Sequence, residues 1–318
     1  MKPISTSKST VFALFTIAIL LFASSCKKKY TPLFVDPAYA AYVISFTSGV
    51  VSNSSTVQVR LVQQVPEAVA GKALSENPFS FSSEVKGTAR WIDKQTIEFT
   101  PEKRFKSGEI YTVEFALDKF AKVPDKLKTL KFRFQVKKQN ISFDFSGISP
   151  YNETDMHLQK VSGSLVTADF ADPALVEKAF EANGIPHANI KWNHSASGCI
   201  HSFVVDSVER KDKSYDIKFK WDGGDLEANS GEFAFEMPAL DEFKVIHTKF
   251  TSNPKNQIEI FFSDPLSRIQ DVNGLFSLSP ASGETVVVSG NSAKIFPGSQ
   301  TTGEVKVTVY AGVKNYEE

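Results

Sequence analysis

The side chains best suited to metal binding or covalent catalysis lie close together in the chain, at His187, His194, Cys199 and His201. Zinc sites are usually assembled from short pairs such as Cys-x-x-Cys, which close a chelate around the metal. The four residues here are unevenly spaced and contain no such pair. Cys199 could act as a nucleophile with His201 as its base, but residues two apart on a strand diverge and no orienting acid is evident. We therefore expect no metal, no cofactor and no catalytic residue.

The tryptophans offer a second kind of site, because aromatic rings on a surface can form a platform for carbohydrate. They are Trp91, Trp192 and Trp221. In β-sandwiches a tryptophan is more often part of the hydrophobic core. We expect core positions for these residues and keep carbohydrate binding as the alternative.

Cys26, the other cysteine, follows an apolar run over residues 11–22 and the small residues 23–25, with Lys2 and Lys8 near the start. The run is shorter than the roughly 20 residues that span a bilayer. This order is typical of a secretory signal peptide, predicted here over residues 1–25. The cysteine directly after it resembles the bacterial lipoprotein box, in which the thiol is lipidated. The alternative is an ordinary signal peptide with an incidental cysteine.

Lipidation would make Cys26 the first residue of the mature chain and membrane lipid its partner. Lys27, Lys28 and Lys29 would then lie against anionic headgroups, at roughly 1 kcal/mol each. Residues 26–41 contain two prolines and are predicted to be a tether. Cys199 would be left without a cysteine partner, so the domains must be stabilised by packing alone.

The overall composition limits the classes of function. The chain has 318 residues, of which 42% are hydrophobic, and phenylalanine is the dominant aromatic residue with 27 copies. This length is too great for one sandwich core and suits two or three domains. Lysine plus arginine equals aspartate plus glutamate at 36 each, and no long basic stripe is present, so we expect no nucleic-acid partner.

The element that organises the chain occurs twice. Residues 91–115 read as two strands of alternating apolar residues joined by a polar connection, and residues 289–310 repeat the pattern. Upstream landmarks also repeat in order: Thr56–Leu61 with Gln257–Phe262, Phe79–Phe81 with Phe276–Leu278, and Phe46–Ser48 with Phe250–Ser252. We interpret these matches as two copies of one β domain.

One detail of the repeat requires a local difference. If Gly108 is aligned with Gly303, the apolar residues that follow fall out of register by one position. Because a shift of one residue turns every side chain to the other face of a sheet, we expect the connection to differ by a residue or to contain a bulge.

The pattern predicts an all-β protein with tandem immunoglobulin-like or macroglobulin-like sandwiches. The first sandwich is predicted over residues 42–138, with strands at 42–47, 56–62, 79–82, 87–91, 96–100, 111–117 and 130–136. The middle sandwich, residues 139–240, includes one short helix over 172–184, with Asp172 as N-cap, Pro173 in the first turn and Gly184 at the end.

The second copy is predicted over residues 241–318. It has no counterpart of residues 130–136, the closing strand of the first copy. Because natural proteins avoid an exposed sheet edge, we expect the chain to be the front end of a longer protein.

Several segments resemble the N-terminal region of bacterial alpha-2-macroglobulin family lipoproteins, and more specifically those of the Bacteroidota. They are residues 42–52, 85–93, 97–101, 108–112, 148–155, 165–173 and 261–266. The resemblance covers essentially the whole mature chain. Members of this family are long periplasmic protease traps, in which a cut bait segment triggers closure and a Cys-x-Glu-Gln thioester often bonds the captured enzyme.

The sequence departs from the trapping motif, because Cys199 is followed by Ile-His-Ser and Cys26 belongs to the lipoprotein box. The resemblance therefore implies a non-catalytic, membrane-proximal arm of an endopeptidase inhibitor, with host or foreign proteases as partners of the whole inhibitor. The lysines after Cys26 favour the periplasmic face of the outer membrane. The alternative is a free-standing immunoglobulin-like lipoprotein adhesin or glycan-binding module.

Overall fold

The computed structural model describes residues 30–152, 155–185, 189–252, 255–280, 283–298 and 303–316. The chain divides into two compact units. The first comprises Met1–Gly49, Val57–Phe99 and Ile110–Gln135, and the second comprises Val50–Thr56, Thr100–Glu109 and Val136–Glu318. The predicted signal peptide, Cys26 and the three lysines after it lie outside the described residues.

Eight strands build the first β-sandwich. They are β1 (Val43–Phe46), β2 (Gly49–Val51), β3 (Val57–Leu61), β4 (Phe79–Phe81), β5 (Gly87–Trp91), β6 (Thr96–Pro101), β7 (Ile110–Ala116) and β8 (Thr129–Val136), with 3-10 helices at Pro37–Ala41, Leu117–Lys119 and Asp125–Leu127. Their sheets have the orders β1-β3-β6-β5 and β2-β8-β7-β4. The seven predicted strands are confirmed, and only the three-residue β2 was missed.

Alternation along each strand produces the core of this sandwich. In β8, Leu130, Phe132 and Phe134 are fully buried, and in β7 Val113 and Phe115 are fully buried too. The residues between them face outward, so each sheet has one apolar and one polar face.

The middle region contains seven strands and the one α-helix among the described residues. The strands are β9 (Ile141–Asn152), β10 (Asp155–Thr167), β11 (Phe180–Asn183), β12 (Asn189–His194), β13 (Ile200–Glu209), β14 (Tyr215–Trp221) and β15 (Gly231–Met237), and the helix α1 is Pro173–Ala179. Sheets β12-β13-β10-β9 and β11-β14-β15 share one hydrophobic core, to which α1 contributes Val176. The predicted second sandwich is therefore present.

The predicted end of the helix is wrong. Asp172 caps α1 by accepting a hydrogen bond from the Ala174 N–H, but the helix stops at Ala179. Phe180 begins strand β11 and pairs with Trp221, because its side chain belongs to the core between the two sheets. Gly184 serves a different purpose: its φ is +89°, and a Cβ there would lie 2.4 Å from the Asp216 carbonyl oxygen.

The last strands repeat the order of the first sandwich. They are β16 (Val245–Thr251), β17 (Gln257–Phe262), β18 (Phe276–Ser279), β19 (Thr285–Ser289), β20 (Ser292–Phe296) and β21 (Lys306–Val309). Their sheets are β16-β17-β20-β19 and β18-β21, which match β1-β3-β6-β5 and β4-β7 strand for strand. Within the described ranges, β2 and β8 have no counterpart in this copy.

Local irregularities are also shared by the two copies. The ladder between β1 and β3 shifts register after Val43, and the ladder between β16 and β17 shifts after Val245, its equivalent. One landmark of the sequence comparison is corrected by these ladders. Phe46 pairs with Val59, whereas the residue opposite Ile260, the equivalent of Val59, is Thr248. Phe46 is therefore equivalent to Thr248 and not to Phe250.

The expected one-residue difference in the connection is confirmed. Phe81 pairs with Val113, and Leu278 pairs with Val307, so Val305 is equivalent to Tyr111. Tyr111 follows Gly108 by three positions, whereas Val305 follows Gly303 by two. Both glycines have positive φ, at 71° and 94°, so the same turn residue is used on a shorter connection.

Candidate functional site

Two of the four clustered residues lie together in the structure. Strands β12 and β13 pair antiparallel, which places His194 directly opposite His201. Their Nδ1 atoms are 2.8 Å apart. The other ring nitrogen of His194, Nε2, lies 3.0 Å from the carboxylate of Glu177, which α1 supplies. His187 lies outside the described residues.

With both rings neutral, the hydrogen bonds of this histidine pair assign the tautomer of each ring. The Glu177 carboxylate only accepts, so His194 must donate from Nε2, which leaves its Nδ1 as an acceptor. His201 must therefore donate from Nδ1 to His194, and its Nε2 carries a lone pair. That atom is buried without a hydrogen-bond partner in the structure. The result is a series of hydrogen bonds that runs from the exposed Glu177 carboxylate through His194 to the buried Nε2 of His201.

The arrangement favours a packing role over covalent catalysis. His201 is fully buried. Cys199 lies in the turn before β13, where its thiol is 3.5 Å from the Ser197 carbonyl oxygen. Within the described ranges, no three His, Cys, Asp or Glu side chains are grouped so that they could hold a metal ion. The structure thus brings His201 together with His194, in keeping with the sequence argument against a Cys199–His201 pair.

Glu177 is the member of this cluster that the sequence did not reveal. It lies far from the histidines in the chain, and only the packing of α1 beside β12 brings it to His194. The sequence offers one indication of its position. Val176 faces the core, so the next residue along α1, Glu177, lies beside the buried face of the helix.

The tryptophans do not form a common surface. Trp91 and Trp221 are buried, at 5% and 8% exposure. Trp192 is half-buried and packs on Phe180, Phe203 and His194. The expected core positions are confirmed for Trp91 and Trp221, so a platform made from all three residues is wrong.

Acidification should destabilise the second unit through its buried histidines. Burial lowers the pKa of His201, and the neighbouring His194 lowers it further. Burial also lowers the pKa of His247, with Lys249 adding to the effect and Asp144 opposing it. Since the unfolded imidazole titrates near pH ~6.5, stability is fully present above that pH and is lost as the pH falls toward the lower folded pKa values.

Urea unfolding between pH 7.5 and 5.5 tests this pH dependence. Each histidine can add at most about 1.4 kcal/mol per pH unit to the slope of the unfolding free energy against pH. His201→Gln should flatten the slope, because the amide takes up no proton. The matched control is His157→Gln, since His157 is exposed on β10. Equal slopes in all three proteins would contradict the assignment to His201.

A polar pocket of about 330 Å³ lies on the outer face of the β4-β7-β8 part of the first sandwich. Its lining residues are Ser80, Phe81, Ser82, Thr112, Glu114, Lys131 and Arg133. Five of the six polar residues are outward-facing positions of the three strands, and Ser82 directly follows β4. Lys131 forms an ion pair with Glu114 at 2.9 Å, so the net charge of the lining comes from Arg133.

The N-terminal segment is attached beside this pocket. Arg133 donates from Nη1 to the Thr31 carbonyl oxygen at 3.3 Å. The Tyr30 hydroxyl donates to the Arg133 carbonyl oxygen and accepts from the Gly49 N–H, each at 3.2 Å. The Tyr39 hydroxyl donates to the Thr129 carbonyl oxygen at 2.7 Å. The described part of the predicted tether is therefore fixed to the first unit.

None of the helices in the described part of the chain is long and apolar enough to cross a bilayer. No family model matches the sequence, and no curated protein matches it.

Comparison with solved structures finds several similar chains. The chain is similar to mouse clustered protocadherin PcdhgC3 EC1-3, at 12% identity over 69% of this chain and 77% of that one, with a TM-score of 0.26. Domains 4–9 of the surface layer protein SbsC match at 11% identity over 86% and 47%, with a TM-score of 0.29. A marsupial T cell receptor matches at 8% identity over 84% and 98%, with a TM-score of 0.17. These likenesses assign no activity, and the tandem β-sandwich architecture rests on the strands and sheets described above.

Proposed function

We propose that this chain is a non-catalytic, lipid-anchored β-domain arm of a macroglobulin-like protease inhibitor. The observation that carries the proposal is the attachment of Tyr30 and Thr31 to β8, only a few residues after Cys26. If Cys26 is acylated, the first sandwich is fixed close to the membrane instead of being suspended on a flexible tether. Such an arm supports the rest of an inhibitor mechanically.

The sequence resemblance supports the inhibitor part of this proposal. The segments that resemble macroglobulin family lipoproteins include strands of both units, among them β1 and β5, and the start of α1. Cys199 lies in a turn without a thioester motif, so we assign it no part in bonding a protease. In this proposal the partners are membrane lipid at Cys26 and, for the whole inhibitor, host or foreign proteases at the periplasmic face of the outer membrane.

Cys26→Ser should release the protein from the membrane. The precursor is expressed in a Gram-negative host, and the membrane and soluble fractions are compared for wild type and variant. We expect wild type in the membrane fraction with the mass of an acylated N-terminal cysteine, since stable anchoring needs more than one acyl chain. The control Cys199→Ser should remain in the membrane. If wild type and Cys26→Ser are distributed equally between the membrane and soluble fractions, the proposed lipid anchor is wrong.

A second measurement concerns protease inhibition. The purified chain should leave the cleavage of large protein substrates by a panel of endopeptidases unchanged, because it contains no trapping cysteine motif. Inhibition by these residues alone would contradict the assignment of an arm. Specific binding to immobilised glycans would instead favour the alternative of an adhesin or glycan-binding module.

A further inference from the structure

In the polar pocket on β4, β7 and β8, two hydroxyl groups act as acceptors in their hydrogen bonds to neighbouring protein groups. Ser82 Oγ accepts from the Thr112 N–H at 3.1 Å, and Thr112 Oγ1 accepts from Arg133 Nε at 3.2 Å. Each hydroxyl therefore has its hydrogen left to donate. Arg133 Nη2 adds further donors, because Nε and Nη1 are the atoms that bind Thr112 and Thr31.

The one carboxylate that lines the pocket, on Glu114, does not neutralise the positive charge of Arg133. Glu114 is ion-paired with Lys131 on the neighbouring strand, and Ser80 donates weakly to the Glu114 carbonyl oxygen at 3.4 Å. The remaining charge is the guanidinium of Arg133, which sits on the same row as Ser82 and Thr112. Directed hydroxyl and guanidinium donors around one net positive charge suit an oxyanion, and a phosphate group in particular.

The position of the pocket favours a lipid headgroup as the source of such a phosphate. Arg133 holds the carbonyl group of Thr31, which follows Cys26 by five residues. Even a fully extended chain of that length spans no more than about 18 Å. An acyl group on Cys26 would therefore bring the pocket within reach of the lipid headgroups.

We propose that Ser82, Thr112 and Arg133, with Lys131 beside them, form a binding site for the phosphate of a membrane lipid headgroup. This inference rests on the lipid anchor proposed above. The site orients the first sandwich on the bilayer, because it holds the surface at a second point beside the acylated cysteine.

Vesicle flotation with the soluble mature chain, residues 26–318 carrying Cys26→Ser, tests the site. All proteins also carry Lys27→Ser, Lys28→Ser and Lys29→Ser, so that the pocket is measured without the terminal lysines. Lys131→Gln/Arg133→Gln should bind vesicles of phosphatidylcholine and phosphatidylglycerol about 30-fold more weakly, as expected for two basic residues near an anionic surface. Arg133→Lys should keep part of the binding, because it retains the charge and loses the fork of donors.

The matched control is Lys86→Gln/Lys94→Gln, which removes the same charge from exposed positions of the same unit that do not line the pocket. It should change vesicle affinity by less than about threefold. If the control and the pocket variant weaken binding equally, the effect is general electrostatics and the site is overturned. Unchanged thermal unfolding of both double variants verifies that their folds are intact.

Competition distinguishes the two sources of phosphate. Glycerol phosphate and inorganic phosphate, at matched ionic strength, should displace the protein with the intact pocket from vesicles but should leave the residual binding of Lys131→Gln/Arg133→Gln unchanged. If calorimetry shows that glycerol phosphate binds while vesicles do not, the ligand is a small soluble ester and the lipid assignment is wrong. Acylation of Cys26 is read independently from the mass of the membrane-bound protein, so loss of the anchor and loss of the pocket are separable outcomes.

Discussion

Arg210→Met is expected to lower the free energy of unfolding of the second unit by about 3–5 kcal/mol. The Arg210 side chain is fully buried and forms an ion pair with Asp264, which is itself buried. It also donates to main-chain carbonyl oxygens, from Nη2 to Ala239 at 2.7 Å and to Glu242 at 2.5 Å. Methionine is apolar and cannot donate, so the buried Asp264 carboxylate loses its cation and the two carbonyl groups lose their guanidinium donors.

A double variant separates the ion pair from the loss of shape. Arg210→Met/Asp264→Leu removes both charges, and most of the lost stability should return, because an apolar pair of similar volume replaces a buried ion pair at little cost. Lys178→Met is the matched control, since its ion pair with Asp225 is exposed and should have little effect. Urea unfolding followed at Trp192 and Trp221, with Trp91→Phe as background, reports on this unit. A loss no greater than that of Lys178→Met would show that the buried pair is unimportant.

Phe132→Ala should lower the free energy of unfolding of the first unit by about 3–5 kcal/mol. The Phe132 side chain is fully buried at the centre of β8, and its ring centroid lies 5.1 Å from that of Phe46. Truncation removes this apolar contact and leaves a cavity between the two sheets. The measurement is urea unfolding followed by Trp91 fluorescence, in a Trp192→Phe/Trp221→Phe background that silences the other unit.

Phe34→Ala provides the control within the same unit, because Phe34 is 84% exposed. The substitution is chemically identical, so a large difference between the two variants reflects mainly the burial of Phe132. We expect Phe34→Ala to change stability by less than about 0.5 kcal/mol. Similar losses at both positions would mean that β8 does not form part of the core.

Most of the β architecture could be predicted from alternation of apolar and polar residues. Strand β8 is a clear example, since Leu130, Phe132, Phe134 and Val136 alternate with polar residues and occupy the predicted face. Strand β2 could not be found, because three residues are too few to show a period. Strand β11 was missed for a different reason: Phe180 continues the apolar spacing of α1, so the local pattern fits a helix as well as a strand.

The candidate sites were much less accessible from sequence. His194 and His201 could be singled out by residue type, but their contact depends on the register of β12 with β13. The polar pocket has no sequence motif, because Thr112 and Arg133 come from β7 and β8, Ser82 directly follows β4, and each is an ordinary outward-facing residue. Such sites are created by strand pairing over long sequence separations, which local patterns do not encode.

The placement of a different sandwich between the two equivalent copies has a consequence for biosynthesis. Adjacent domains of the same topology can exchange strands as they fold, and such misassembly is a characteristic failure of tandem repeats. Here the strands β9 to β15 separate β8 from β16 along the chain. If the chain is exported through the predicted signal peptide, it crosses the membrane N-terminus first, and the first copy can close before the strands that could compete with its own have crossed.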